Sequence, residues 1–231
     1  MSRQIFRSAP DFDAPSTHGA FSFHAWKGRR WSLLLSSPFA FTPVCTTELV
    51  AFSARFAEFE ARDIAVAALA IDAVAPLAAW VSDIHDAFEV DVPFPLVADE
   101  TRAVATDYGM IDPAQLDELL DVVPGRWLKA SPDFAVRTAF IVSPANVIMA
   151  TLSYPPSVGL DVDEVLRVLD ALKLSRWKLA APSGWRDGDD VVVGRVVPDA
   201  EALTRFGSLR TITPYLRTTP QPPFTRAPAS P

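Results

Sequence analysis

Apolar and polar positions along the chain change period in a regular order. Arg30 to Ser36, carrying Trp31-Ser32-Leu33-Leu34-Leu35, and Ile64 to Ile71 are short continuous apolar runs of strand length. After each run the apolar residues recur every three or four positions. Leu49, Phe52, Phe56 and Phe59 predict a helix from Pro43 to about Arg62, and Leu77, Trp80, Val81 and Ile84 predict another near Pro76–Phe88. Strand, helix, strand, helix implies parallel pairing through right-handed crossovers.

The flanking segments extend this frame. Residues 1–30 carry Pro10, Pro15, Gly19 and Gly28 around short pieces such as Phe21-Ser22-Phe23, which predicts turns and a hairpin. Pro93-Phe94-Pro95-Leu96-Val97-Ala98-Asp99 reads as a short edge segment, because proline cannot serve a central strand. A short helix is expected near Glu100–Tyr108, and the polar, interrupted residues 112–135 read as a long surface excursion. Arg137–Val142 and Val147–Ser153 form two strands around the turn sequence Ser143-Pro144-Ala145-Asn146. A helix near Val162–Leu172 follows, with Val165, Leu166, Leu169 and Leu172 on one side. The fold class is α/β, a thioredoxin-like fold with a C-terminal extension. Residues 1–172 are read as the thioredoxin-like domain. Residues 173–231 are the extension, too short and too rich in proline to build much of a core alone, and Thr219–Pro231 is a mobile tail or arm.

Composition narrows the function classes. A formal net charge of -7 without Lys/Arg clusters argues against nucleic acid and anionic membrane surfaces. No apolar run approaches the ~18 residues of a membrane span, and Met1–Arg7 lacks the apolar core of a signal peptide. Cys45 is the sole cysteine, so an internal disulfide is excluded and a reducing compartment such as the cytoplasm is expected. His18, His24 and His85 stand far apart, give no metal-ligand spacing, and read as surface or half-buried residues. No metal or cofactor is expected.

The chemistry gathers at Pro38-Phe39-Ala40-Phe41-Thr42-Pro43-Val44-Cys45-Thr46-Thr47-Glu48. Thr42-Pro43 is a helix start, with threonine at the N-cap and proline at the first helical position. Cys45 then lies in the first turn, among N–H groups without intrahelical acceptors, where a thiolate is stabilised. The helix dipole supplies ~0.3–1 kcal/mol, up to ~2 when partly buried, while a tenfold gain in thiolate takes ~1.4 kcal/mol. The helix alone is therefore insufficient and the site needs a cation. Arg137, at the mouth of an otherwise apolar strand, is the candidate; a strand-end arginine facing water is the alternative. For Cys45 the alternative is a buried inert thiol. Glu48, three residues on along the same helical side, is a secondary candidate, its alternative being a solvated first-turn acid complementing the dipole.

Pro38-x-x-x-Thr42-x-x-Cys45 resembles the peroxiredoxin active-site pattern, and Phe41-Thr42-Pro43-Val44-Cys45-Thr46-Thr47-Glu48-Leu49 is similar to its one-cysteine branch. The likeness extends from Ala9-Pro10-Asp11-Phe12 to Tyr215-Leu216-Arg217-Thr218-Thr219-Pro220-Gln221-Pro222. Between them it includes Ile71-Asp72, Gly109-Met110-Ile111-Asp112-Pro113, Tyr154-Pro155 and Trp185-Arg186-Asp187-Gly188-Asp189. The resemblance implies a thiol peroxidase acting on hydrogen peroxide and organic hydroperoxides. Cys45 would be the peroxidatic cysteine, Thr42 a hydrogen-bond partner of the peroxide, Pro38 a cover over the thiol, and Arg137 the activating cation. It also implies reduction of the sulfenic acid by an external thiol or other reductant, and a homodimer joined through the C-terminal extension, with larger rings of dimers open.

Three positions depart from the pattern: Ser37 stands where relatives carry histidine, Ala40 where they often carry aspartate, and Leu160 where a second arginine is expected. These motivate a competing expectation, a non-enzymatic redox sensor or chaperone-like oligomer on the same fold. The Gly-x-Ser-x-Gly string of some animal relatives is absent, since Gly28 is followed by Arg29-Arg30-Trp31-Ser32, so no phospholipase activity is implied.

Overall fold

The structure, a computed structural model, describes residues 5–111 and 135–223. Chain contacts divide it into two compact units, one through Val162 and one from Asp163.

The first unit is built on a seven-stranded mixed sheet. Its strands are β1 (Asp13–Ser16), β2 (Gly19–Ser22), β3 (Trp31–Ser37), β4 (Ile64–Ala70), β5 (Leu96–Ala98), β6 (Arg137–Val142) and β7 (Ile148–Tyr154), in the order β2-β1-β5-β4-β3-β6-β7. The hairpin expected before residue 30 is β1–β2, and a short helix, α1 (Phe23–Lys27), follows it. β3, β4 and β5 run parallel, as the alternation of strand and helix predicts. β4 is buried at every position, which explains its unbroken apolar run.

Two expectations are corrected here. The segment around Leu96 is not at an edge: β5 lies between β4 and β1. Its prolines precede the strand, where the missing N–H costs nothing, and the Pro95 carbonyl still accepts from the Ala68 N–H at 3.0 Å. The long helix after Pro43 is two helices, α2 (Pro43–Ala54) and α3 (Phe56–Glu60). At Arg55 the backbone N–H turns to the Ser53 carbonyl and leaves the helical ladder. The break sets Phe59 beside Phe52, ring centroids 5.7 Å apart, so both bury fully. α4 (Val74–Phe88) and α5 (Ala103–Asp107) complete the helices before residue 112. The excursion expected at 112–135 lies outside the described residues, except for its last residue, Ala135, which is buried.

Register decides what meets at the end of the sheet. β3 pairs with β4 from Trp31↔Ile64 to Ser37↔Ala70, so α2 begins just beyond the carboxyl ends of both strands. β6 runs antiparallel to β3 with Ser36 opposite Thr138, which brings the first residue of β6, Arg137, to that same end. β7 pairs Tyr154 with Arg137, so the loop from Pro155 to Leu160 leaves there as well.

The core under β1, β2 and α1 is aromatic. Tyr108 packs edge-on against Phe12, Phe23 and Phe140, and its hydroxyl donates to the Pro10 carbonyl at 2.8 Å. Lys27 is fully buried at the end of α1, its ammonium donating to the Gly28 carbonyl at 3.1 Å. Burial first, and the nearby Arg30 second, hold its proton affinity below the usual 10.5. A base weakened by folding binds more protons when unfolded, so its contribution makes stability rise with pH between the lowered folded value and 10.5. Lys27→Met is expected to stabilise the protein by about 1–2 kcal/mol at neutral pH and to flatten that alkaline rise. Urea unfolding at neutral and alkaline pH measures both.

The second unit contains α6 (Val162–Leu174), a short 3-10 helix (Ser175–Trp177), α7 (Asp199–Phe206) and an antiparallel sheet. The sheet runs β10 (Arg210–Thr213), β11 (Leu216–Thr219), β9 (Val191–Val193), β8 (Leu179–Ala180). It has a small core of its own, in which Trp185, Val191, Val193, Val197 and Ala202 are buried with Leu174 and Leu179. Thr219, expected to start a loose tail, is instead the buried last residue of β11, and Gln221 bonds Asp187 and the Gly188 N–H. Residues 224–231 of that expected tail lie outside the described residues.

Candidate active site

The first turn of α2 is held from three directions. Thr42 occupies the N-cap with extended backbone angles and Pro43 opens the helix. The Thr42 hydroxyl, however, donates to the Phe39 carbonyl at 3.0 Å and does not cap the helix. Among the described residues no side chain therefore caps the Val44 and Cys45 N–H groups, which have no intrahelical acceptor before them. Just after β4, Asp72 accepts the Ala40 N–H at 2.9 Å and pins the loop before the helix. From α4, the buried Trp80 donates its indole N–H to the Thr46 hydroxyl at 3.0 Å, and that hydroxyl donates to the Thr42 carbonyl at 2.9 Å. Neither Asp72 nor Trp80 stands out as a site residue in the sequence; the only signal is Ile71-Asp72 in the family likeness.

Cys45 is fully buried, and Arg137 lies against it. The guanidinium Nη2 donates to the Cys45 Sγ at 3.0 Å, joining residues 92 positions apart. Arg137 is 1% exposed, so the alternative of a strand-end arginine facing water is excluded. Every edge of its fork is used. Nε donates to Glu48 Oε2 at 2.8 Å, and Nη1 lies within reach of the carbonyls of Pro155, Pro156 and Val158 at 3.2, 2.6 and 3.2 Å. Three carbonyls from one loop and one carboxylate therefore aim the remaining donor at sulfur.

Glu48 is 6% exposed, which corrects the expectation of a solvated first-turn acid. Its Oε1 accepts the Leu160 N–H at 2.6 Å. A β-carbon built on Gly159 would lie 3.5 Å from Val44 Cγ1 and 3.8 Å from Glu48 Cγ, so the loop passes close over the helix start. Burial raises the proton affinity of Glu48 above the ordinary carboxylate range, and the Leu160 N–H and the Arg137 charge only partly oppose it.

The structure thus gathers Cys45, Arg137 and Glu48 into one buried cluster, with Thr42 at the helix cap and Pro38 buried in the preceding loop. Of the three departing positions, Ser37 and Leu160 are buried and Ala40 is half-buried. Among the described residues no group of His, Cys, Asp and Glu side chains is placed to hold a metal ion. No helix among them is long and apolar enough to cross a membrane.

Comparison with known proteins agrees with this geometry. Residues 5–151 match the AhpC/TSA family. The chain is 38% identical to peroxiredoxin-6 of Gallus gallus, over 93% of this chain and 96% of that one. It is 36% identical to the 1-Cys peroxiredoxin of Dictyostelium discoideum, over 92% of this chain and 83% of that one. The solved peroxiredoxin 6 of Arenicola marina superposes with a TM-score of 0.84 at 35% identity, covering 96% of this chain and 100% of that one. A yeast mitochondrial 1-Cys peroxiredoxin superposes with a TM-score of 0.81, also at 35% identity and with the same coverage. With its single cysteine at the start of α2, its buried arginine beside the sulfur and this likeness over nearly the whole length, the chain belongs to the AhpC/TSA family as a peroxiredoxin of the one-cysteine branch.

Proposed function

We propose that Cys45 is the peroxidatic nucleophile and that the side chains around it divide the work of the attack. Membership of the one-cysteine branch makes the chain a thiol-dependent peroxidase with a peroxide substrate and a thiol-type reductant. The proposal concerns how these residues perform that reaction. It is carried by one observation, the 3.0 Å contact from Arg137 Nη2 to Cys45 Sγ in a cluster closed to water.

The Cys45 thiolate attacks one peroxide oxygen, the O–O bond breaks, and sulfur becomes a sulfenic acid. The other oxygen leaves as an alcohol or water once it has gained a proton. Negative charge moves from sulfur to the leaving oxygen during this step. Arg137 and the first-turn N–H groups of α2 supply fixed donors for that charge, which in a dry site cost no reorganisation, and the Thr42 hydroxyl adds one by turning from the Phe39 carbonyl to the peroxide. Pro38 shields the thiol, and Glu48 holds Arg137 in place. The substrates are hydrogen peroxide and organic hydroperoxides.

Cys45 is the sole cysteine of the chain, so no resolving thiol comes from it. An external thiol reduces the sulfenic acid, and an unreduced one is open to overoxidation. Thiol resolution through glutathione and thioredoxin systems is described for the yeast 1-Cys relative, which supports a reductant of that class here. The rest of the reading is a peroxidase domain at 1–172, a dimer arm at 173–231 in a homodimer, rings of dimers as a further level of assembly, and residence in the cytoplasm. No observation favours the non-enzymatic alternative.

Stopped-flow oxidation of Cys45 by hydrogen peroxide tests the reading. The thiol is expected to be lost rapidly and stoichiometrically, followed by turnover with an added thiol. A Cys45 that reacts no faster than free cysteine sinks it. Thr42→Val is expected to slow the oxidation roughly 10²-fold, the loss of one positioned donor, while Thr42→Ser retains most of the rate. Equal rates for the two variants would remove the hydroxyl from the reaction.

A further inference from the structure

One buried cation at this site faces two groups that can each carry a negative charge. Arg137 donates through Nε to Glu48 and through Nη2 to Cys45, and both acceptors are buried. Among the described residues the other neighbours bring no second positive charge. The loop after β7 contributes the carbonyls of Pro155, Pro156 and Val158 and the Leu160 N–H. Leu160 itself is apolar and buried. Beyond β4, the carboxylate of Asp72 is engaged by the Ala40 N–H. A thiolate and a carboxylate on one guanidinium would leave a net negative charge out of water, and such a charge is costly. One anion with Arg137 is neutral.

We infer that Glu48 takes the proton of the Cys45 thiol and returns it to the leaving oxygen, so that thiolate and carboxylate share one negative charge on Arg137. The inference rests on the reading of Cys45 as the nucleophile and adds the route of its proton. In the first step Cys45–SH and Glu48–COO⁻ become Cys45–S⁻ and Glu48–COOH, and the net charge around Arg137 stays at zero. In the second step the thiolate attacks ROOH and the O–O bond breaks. RO⁻ takes the proton from Glu48 and leaves as ROH. The products are Cys45–SOH and Glu48–COO⁻, again with one anion on Arg137. Protons and electrons balance without exchange with solvent. The raised proton affinity of Glu48 has the direction this route needs, because an ordinary carboxylate would not hold a thiol proton.

The experiment compares the full-length wild type with Glu48→Gln, which keeps an oxygen for the Arg137 Nε–H but takes no proton. Thiolate absorbance is titrated against pH, and the rate constant with hydrogen peroxide is measured by stopped flow. Removing the competing carboxylate is expected to move the thiolate midpoint down by about one pH unit or more, a tenfold change in affinity. The rate per thiolate is expected to fall, because the leaving oxygen has lost its donor. A purely structural Glu48 would move neither quantity in this way, and an unchanged or higher midpoint overturns the inference. Infrared difference spectra of the wild type give a readout independent of the variant's folding. Oxidation is expected to remove one protonated-carboxyl band, with no such loss in Cys45→Ser, and the absence of that band from the wild type also overturns it. A wild-type Cys45 no more reactive than free cysteine would instead fail the parent reading. A fast wild type with an unshifted Glu48→Gln fails only the proton route.

Discussion

Arg137→Ala is expected to slow the peroxide oxidation of Cys45 by about 10²–10³-fold, the scale seen when a preorganised donor is lost from a site of developing charge. It is also expected to destabilise the fold by roughly 3–5 kcal/mol, because it strips the partner from a buried carboxylate. Both effects come from one geometry. Arg137 joins Glu48 at 2.8 Å, the sulfur at 3.0 Å and three carbonyls of one loop. Without the guanidinium those acceptors face each other out of water. The two effects separate in the double variant Arg137→Ala/Glu48→Ala. Removing the orphaned acid is expected to restore part of the stability and none of the rate. Stopped-flow oxidation and urea unfolding of the two single variants and the double variant complete the cycle. A double variant no more stable than Arg137→Ala would mean that Glu48 is not held by this pair.

Trp80→Ala is expected to cost about 3–5 kcal/mol, as a large buried aromatic removed from a packed interior leaves a cavity. Trp80 is 1% exposed and lies 6.4 Å, centroid to centroid, from the ring of Phe41. Its indole N–H holds the Thr46 hydroxyl, which holds the Thr42 carbonyl. The same change therefore loosens the turn that carries Cys45, and slower peroxide oxidation is expected with it. Trp80→Phe isolates the second contribution. It keeps most of the volume, loses the indole donor, and is expected to cost about 1 kcal/mol. If Trp80→Phe oxidises as fast as the wild type, the hydrogen bond to Thr46 does not steer the thiol and Trp80 acts through packing alone.

Much of the first unit is legible in the sequence because its signals are local. β4 reads as an unbroken apolar run since every position is buried, and β6 is bounded by the polar Arg137 and Ser143 at its ends. The failures share a cause. The rank of β5 in the sheet depends on which strand pairs with it, and the prolines beside it suggest an edge that the pairing with β1 removes. The break at Arg55 lies inside an apolar pattern that continues at nearly helical spacing, so periodicity passes over it. The core of the second unit comes from Trp185, Val191, Val193 and Val197, drawn from separate short pieces, which no single stretch announces.

At the helix start the division is sharp. The residues from Pro38 to Glu48 determine by themselves that a lone cysteine sits in the first turn of a helix opened by Thr-Pro, because a helix start is written within a few consecutive positions. The modest energy of one helix terminus, weighed against the cost of a thiolate, also requires a cation near that cysteine. Only the tertiary structure decided the rest. Arg137 reaches Cys45 because β6 runs antiparallel to β3 in a register that puts its first residue at the end where α2 begins. Glu48 changes from a first-turn surface acid to a buried partner because the loop after β7 closes over it. Charge pairing and burial depend on distances through space. Strand register and loop closure set those distances, and neither is encoded near the cysteine.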